Sequence, residues 1–227
     1  VSLLARGLEN ESLAHAYLLV GPPQIGKMTI AINLSQGVNC LANLIDRPCG
    51  KCNQCLRIAQ GLHADVQVVD AQRDAAEYGL KKTIGIKQVE DIHHSATLKP
   101  FEGRYRVFIF REASQLSEEA ANAFLKLLEE PPDSVLMVLL TSNPDLLPDT
   151  IVSRCQQLNL NPLPSDVIYR ELQNIPGVSP VGAMEIAKLS SGSIGWAKEA
   201  VTAPNLMEDH KSSMQFIGTL LESCLED

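Results

Sequence analysis

A group of closely spaced cysteines has the pattern of a metal site, C-x8-C-x2-C-x2-C. The four residues are Cys40, Cys49, Cys52 and Cys55. Each C-x2-C turn places two thiolates on one side of an ion without backbone strain, and four thiolates match the tetrahedral preference of Zn²⁺. The pattern therefore predicts a closed, structural zinc site, with buried unrelated thiols as the alternative. We do not expect His63, which lies nearby in the sequence, to be a ligand.

A second segment has the pattern of a phosphate-binding loop. Residues 21–27 match G-x-x-x-x-G-K through Gly21, Gly26 and Lys27. An apolar run at 16–20 precedes the loop and helical periodicity follows it, which is the setting that makes this motif credible. Backbone N–H groups of such a loop bind phosphates, and the lysine reaches the terminal ones.

The residues that would hold a magnesium ion at this loop are missing. Met28 stands where a Ser or Thr would bind Mg²⁺, and Thr29 is rotated by about 100° around the helix from that position. Arg111, before Glu112, replaces the Asp expected at the end of a buried strand, and its positive charge would repel the ion. We therefore expect no bound Mg²⁺ and no ATP hydrolysis by the chain itself. Whether nucleotide occupies the loop without turnover stays open.

Strands and helices alternate through the first part of the chain. Predicted strands are 16–20, 66–69, 106–110 and 134–140, and predicted helices run from 28 to about 40, from 86 to 98 and from 117 to about 130. Because each strand is almost wholly apolar, we expect an α/β fold with a parallel sheet covered on both faces.

Prolines at 162 and 164 end this alternation, and only helical patterns follow. We predict a nucleotide-binding-like domain at 1–163, with the zinc module at 40–55 inserted in it, and a small helical lid domain at 164–204. Residues 205–227 are expected to begin a truncated third, oligomerising domain. Since the first residue is not Met, we also expect missing residues upstream.

Composition excludes several classes of protein. Apolar residues make up 45% and charged residues 20%, so neither disorder nor a membrane protein is expected. The formal net charge of -8 opposes general nucleic-acid binding, so DNA contact would need a local basic patch or a partner. The N-terminal residues lack a signal-peptide pattern, which favours a cytoplasmic location.

Several segments together resemble one family. They are residues 15–18, the cysteine insertion, residues 122–132 (NAFLKLLEEPP) and the Ser-Arg-Cys triplet at 153–155. Across residues 13 to 200 the chain resembles the AAA+ clamp-loader subunits of bacterial DNA polymerase III. The resemblance implies an AAA+ P-loop domain with a zinc-binding insertion, followed by a helical lid.

Within this family the chain looks like a delta-prime subunit, because gamma/tau subunits keep a Lys-Thr phosphate loop and an acidic second motif. Gly195 also stands where motor subunits carry an arginine that senses the γ-phosphate. By resemblance, the chain is no enzyme alone but part of the polymerase holoenzyme, and Arg154 acts as an arginine finger in a neighbouring ATP site. Without the resemblance, Arg154 would be a solvated surface residue. Implied partners are gamma/tau and delta subunits, the sliding clamp and primer-template DNA.

Two alternatives stay open at this point. The chain could be an active gamma/tau-like ATPase that uses Thr29 at an unusual metal site. It could instead be a zinc-stabilised module that binds DNA itself. The basic residues available for DNA binding are Lys81, Lys82, Lys87, Arg104 and Arg106. They are scattered and lack aromatic residues for base stacking, which favours a solvated surface.

Overall fold

The protein is described here by a computed structural model that covers residues 2–73, 82–203, 205–207 and 212. The helices are α1 (Ser2–Glu9), α2 (Lys27–Asn39), α3 (Asn53–Ala59), α4 (Ile86–Thr97), α5 (Glu118–Glu129), α6 (Asp149–Val152), α7 (Ser165–Gln173), α8 (Pro180–Leu189) and α9 (Ile194–Thr202). The strands are β1 (Ala16–Val20), β2 (Val66–Val69), β3 (Gln72–Arg73), β4 (Lys82–Thr83), β5 (Arg106–Phe110), β6 (Val135–Thr141) and β7 (Gln156–Asn159).

By their contacts, the residues form two compact units. The first contains Val1–Gly21 and Lys27–Leu160, and the second contains Pro22–Gly26 and Asn161–Asp227. The central residues of the phosphate loop are therefore grouped with the C-terminal unit, which sequence analysis did not anticipate. The predicted division at residue 163 stays a prediction.

The first unit is built on a five-stranded sheet in the order β2-β5-β6-β1-β7. All pairings in this sheet are parallel, with Leu18 opposite Leu139 and Phe108 opposite Met137. Every residue of β6 is buried. A central strand buried on both faces needs apolar side chains throughout, which is why its sequence does not alternate.

Helices cover the two faces of this sheet. On one face, α4 and α5 pack on β5 and β6, where the rings of Phe110 and Phe124 lie 4.8 Å apart. On the other face, α1 and α2 place Leu4 and Leu34 against Ile109. Ser117 caps α5 by accepting a hydrogen bond from the backbone N–H of Ala120, so the predicted start of this helix has a local chemical cause.

The second unit contains three named helices, α7 to α9, among its described residues. Their buried side chains form a separate apolar cluster that includes Ile168, Leu172 and Ala183. Ser179 caps α8 and Pro180 occupies its first turn, an arrangement common at helix N-termini. Most of the predicted segment 205–227 lies outside the described residues.

The α/β fold class with a parallel sheet is confirmed. The sequence patterns did not predict β7, whose residues Gln-Gln-Leu-Asn are mostly exposed because it is an edge strand. They also did not predict α3, which begins within the cysteine insertion and is capped by the sulfur of Cys52. No helix in the described ranges has both the length and the hydropathy of a membrane span.

Candidate functional site

The four clustered cysteines converge on one point. Their sulfur atoms all lie within 4.8 Å of one another, and the sulfur atoms of Cys40 and Cys52 are 3.9 Å apart. Two thiolates bound to the same Zn²⁺ at about 2.3 Å and at the tetrahedral angle would be about 3.8 Å apart. Cys40 and Cys55 are buried, while Cys49 and Cys52 are half-buried. The donor set and its spacing therefore fit a structural zinc ion.

The surroundings of the cluster favour thiolates at two of its cysteines. Burial alone would raise the pKa of the Cys52 thiol, but N–H groups of Leu41 and Cys55 and the adjacent thiols lower that pKa to about 6. N–H groups of Lys51 and Cys52 also lower the pKa of Cys49. Burial raises the pKa of Cys55 to about 12. A divalent cation would reverse this last effect, because it stabilises a coordinating thiolate directly.

Polar side chains on α2 and on the segment before β5 hold the backbone around the cluster. Gln36 donates to the carbonyl of Cys55 at 2.8 Å. Asn39 accepts from the N–H of Arg104 and donates to the carbonyl of Tyr105. The Arg104 guanidinium in turn donates to the carbonyl of Cys40 at 2.9 Å. The cysteine module is thus bonded to the segment that leads into β5.

A buried carboxylate, which sequence analysis missed, organises the same segment. Asp65 accepts from the N–H groups of Phe101, Glu102 and Gly103 at 2.7 to 2.8 Å and from the guanidinium of Arg106 at 3.1 Å. Burial raises the pKa of Asp65, but these bonds outweigh it and hold the pKa below its ordinary value. The only local sequence signal was an acidic residue directly before an apolar strand.

A buried histidine lies beside this carboxylate. His63 accepts at Nδ1 from the N–H of Asp65 at 3.1 Å, and its Nε2 hydrogen-bonds to Gln54. Burial lowers the pKa of His63, although Glu102 and Asp65 oppose the shift. The imidazole is therefore kept neutral, and it connects α3 to the loop before β2 rather than to the cysteine sulfurs.

In the first unit, Lys27 is folded back onto the phosphate loop. Its Nζ donates to the carbonyl of Gly21 and to Oγ of Ser142, the latter at 3.2 Å. Burial lowers the pKa of Lys27, and the nearby carboxylate of Glu112 opposes that shift. Ser142 and Glu112 are site residues that the motif alone did not identify, because they come from the ends of β6 and β5.

The two expected magnesium ligands remain absent in three dimensions. Met28 packs against the apolar cluster on the α2 face of the sheet, and Thr29 is exposed. Arg111 follows β5, and its guanidinium pairs with Asp70 at 2.6 Å, with both side chains about half exposed. Since Asp70 neutralises Arg111, the missing oxygen ligands argue against Mg²⁺ more strongly than the repulsion that sequence analysis invoked. Neither of the two positions expected to bind Mg²⁺ therefore offers a side-chain oxygen.

In the second unit, residues 22–26 lie against α9. The N–H of Gly195 donates to the carbonyl of Gln24 at 2.8 Å, and the Gln24 side chain donates to Glu199 at 2.8 Å. A Cβ atom at position 195 would lie 2.6 Å from the same Gln24 carbonyl. Because that distance is well inside van der Waals contact, an arginine could not replace Gly195 without moving the backbone.

Arg154 lies just after α6, at the surface of the first unit. Its Nη2 pairs with Oε1 of Glu129 at 2.8 Å, and its Nη1 donates to the carbonyl of Thr150 at 3.0 Å. The side chain of Arg154 is 36% exposed. The adjacent Cys155 packs against the apolar core, where burial raises the pKa of its thiol to about 12.

Comparison with known proteins identifies the family. Residues 1–164 match the family described as "DNA polymerase III, delta subunit". The chain belongs to this family. It is 35% identical over 200 residues to the DNA polymerase III subunit tau/gamma of Haemophilus influenzae, covering 86% of this chain and 28% of that protein. It is 34% identical over 191 residues to subunit delta' of Bacillus subtilis, covering 84% and 55%.

A solved structure supports the fold. The gamma subunit-related protein of Thermotoga maritima aligns with a TM-score of 0.51 at 19% identity, over 86% of this chain and 68% of that one. The chain spans about a quarter of the length of the Haemophilus influenzae relative and about half of the length of the Bacillus subtilis relative. The resemblance to the DNA polymerase III family is confirmed.

The basic residues considered for direct DNA binding are partly committed to internal contacts. The guanidinium of Arg106 donates to the carboxylate of Asp65 and to the carbonyls of Ser95 and Lys99. The guanidinium of Arg104 donates to the carbonyl of Cys40. Lys81 lies outside the described residues. These contacts weaken the hypothesis of a basic DNA-binding patch.

Proposed function

We propose that the chain is a delta-prime-like, non-hydrolysing subunit of the DNA polymerase III clamp loader. The observation that carries this proposal is the absence of an oxygen ligand at both magnesium positions, since Met28 packs against the apolar core and Arg111 pairs with Asp70. Phosphoryl transfer needs Mg²⁺ to neutralise developing charge. Gly195 adds support, because its contact with Gln24 leaves no room for a phosphate-sensing arginine.

In this proposal the chain holds a structural Zn²⁺ through its four clustered cysteines. It works in the cytoplasm with gamma/tau and delta subunits, the sliding clamp and primer-template DNA. Its role in the assembly is to complete a neighbouring subunit's ATP site. The partly exposed guanidinium of Arg154 stabilises the negative charge that develops on the transferring phosphoryl group.

The test is a clamp loader reconstituted with Arg154→Ala. We expect the DNA-stimulated ATPase rate to fall by about 10³-fold at the neighbouring site, the lower limit for a trans arginine. Arg170→Ala is the matched control, because Arg170 is also a surface arginine paired with an acid, Asp166, but lies on α7. An ATPase rate equal to that of the control would remove the finger assignment.

The second candidate is an active ATPase of the gamma/tau type. It is favoured by the 35% identity to a tau/gamma subunit and by the exposed position of Thr29. Mg²⁺-dependent ATP turnover by the isolated chain, abolished by Thr29→Ala, would establish this candidate. Turnover at background level, with or without Mg²⁺, is the result that our proposal expects.

A further inference from the structure

Two acidic residues end helix α5, at the place where a helix least favours them. Glu129 is its last residue and Glu130 is the C-cap. The carbonyl groups at a helix C-terminus carry a partial negative charge, so cations stabilise this end and carboxylates do not. Helix stability therefore does not account for an acid at position 129, where Glu129 contacts Arg154.

Stability of the fold is an equally weak explanation for the pair. The side chains of Arg154 and Glu129 are 36% and 50% exposed. Ion pairs at that exposure are screened by solvent and contribute little to the free energy of folding. What the contact does control is the direction of a long side chain that would otherwise sample many rotamers.

The guanidinium is held by groups from two different elements. Glu129 at the end of α5 accepts from Nη2 at 2.8 Å, and the Thr150 carbonyl in α6 accepts from Nη1 at 3.0 Å. A guanidinium has five N–H donors in one plane. Two contacts from separate directions orient that plane and leave donors available for a further acceptor.

The backbone that carries Arg154 is anchored as well. Its N–H donates to the carbonyl of Ile151 at 3.1 Å, and Ile151 is fully buried. The N–H of Cys155 donates to the carbonyl of Val152 at 3.2 Å, and the Cys155 side chain packs against the apolar core. With its base fixed by these contacts, the orientation of the guanidinium depends on Glu129 and Thr150.

We propose that Glu129 is a positioning residue for Arg154, an inference that rests on the proposed arginine finger. Glu129 presents the guanidinium in one orientation before the neighbouring subunit docks. A pre-oriented donor does not have to lose its rotamer freedom when the transition state forms, so it lowers the barrier of the chemical step. Glu129 does not touch the phosphate in this proposal and acts only through Arg154.

The experiment uses clamp loaders reconstituted with Glu129→Ala, Glu129→Gln and the control Glu130→Ala. Glu130 is the adjacent exposed acid at the same helix end. We expect Glu129→Ala to lower kcat for DNA-stimulated ATP hydrolysis by roughly tenfold with KM for ATP little changed, since misorientation of a reacting group has effects of this order. Glu129→Gln keeps an acceptor oxygen and should restore part of the rate. Glu130→Ala should match the wild type.

The double variant Glu129→Ala/Arg154→Ala separates positioning from a general structural effect. If Glu129 acts through Arg154, the double variant has the same rate as Arg154→Ala alone. An additional loss in the double variant, or a Glu129→Ala rate equal to that of Glu130→Ala, would overturn the proposal. So would a rate above that of the wild type, because Glu129 would then restrain the arginine rather than present it.

Failure of this inference can be told apart from failure of the proposed function. If Arg154→Ala lowers the ATPase rate but Glu129→Ala does not, the finger stands and the positioning role is rejected. If Arg154→Ala leaves the rate unchanged, the finger itself is rejected, and the positioning role is rejected with it. Rates are compared only between complexes of equal subunit stoichiometry whose variant chains, when isolated, have the melting temperature of the wild type. Differences in rate then do not arise from defects in assembly or folding.

Discussion

The cysteine module and the phosphate loop differ in what each has kept. The module retains four sulfur atoms within 4.8 Å of one another. The loop retains Gly21, Gly26 and Lys27 but lacks both oxygen ligands for a magnesium ion. One region has the complete donor set for its metal, and the other has only the backbone shape of its motif.

The difference has a physical basis in how each region is stabilised. A metal bound by the four cysteines would contribute directly to folding, in addition to the hydrogen bonds from Gln36 and Arg104 that hold the backbone of the module. The phosphate loop is held by direct protein contacts, because Lys27 donates to the carbonyl of Gly21 and to Ser142, and the carbonyl of Gln24 accepts from Gly195. A loop with such contacts can keep its shape without a metal ion.

The largest effect is expected from removing a metal ligand. Cys55→Ser should abolish tight zinc binding and destabilise the chain by several kcal/mol, because structural zinc contributes about 10 kcal/mol or more in small domains. Metal analysis and thermal denaturation, with and without a chelator, measure this. Cys155→Ser is the control, since Cys155 lies apart from the cluster. Full zinc content in Cys55→Ser would contradict the predicted ligand set.

The next effect concerns the buried carboxylate behind the module. Asp65→Asn removes the charge that Arg106 faces and turns an amide NH₂ towards backbone N–H donors. We expect a loss of about 3 kcal/mol in the free energy of unfolding, as for a broken buried ion pair. The half-exposed Asp70→Asn should cost less than about 1 kcal/mol. If urea denaturation gave the same loss in the free energy of unfolding for both variants, burial of Asp65 would not be the cause of its larger expected effect.

A smaller effect should appear on mild acidification. The pKa of His63 is lowered by burial, so between pH 7 and 5 the unfolded chain takes up a proton near its ordinary value of about 6.5 before the folded chain does. Stability is therefore fully present above that pH and falls below it, because protonated Nδ1 could no longer accept from Asp65. The free energy of unfolding, measured by urea denaturation at several pH values in this range, should depend less on pH in His63→Gln than in the wild type. The exposed His93→Gln should keep the pH dependence of the wild type.

The smallest effect is predicted at the phosphate loop. Adding Mg²⁺ should change any nucleotide affinity of the isolated chain by less than about twofold, since neither Met28 nor Arg111 offers an oxygen at the two positions where the motif expects an Mg²⁺ ligand. The double variant Met28→Thr/Arg111→Asp restores both ligand types and should introduce Mg²⁺ dependence. Isothermal titration with and without the ion checks this. A strong Mg²⁺ effect in the wild type would remove the contrast between the two regions.

Much of the fold followed from local sequence patterns. The strands β1, β2, β5 and β6 were predicted from short apolar runs, and the helices α2, α4 and α5 from apolar residues at helical spacing, because both patterns reflect burial directly. The edge strand β7 was not, because it is polar and is defined by its pairing with β1. The helix α3 was not predicted for a different reason. Its N-terminal cap is a cysteine sulfur rather than one of the usual capping residues.

The sequence by itself determined the candidate zinc ligands and the absence of a hydroxyl at position 28 and of a carboxylate at position 111, because spacing and residue type suffice for both. Only the tertiary structure brought Asp65 to the loop at 101–103, Gly195 to Gln24 and Glu129 to Arg154. These partners lie 25 to 171 positions apart in the chain. Contacts of that kind are set by how helices and strands pack, and no local pattern in the sequence encodes them.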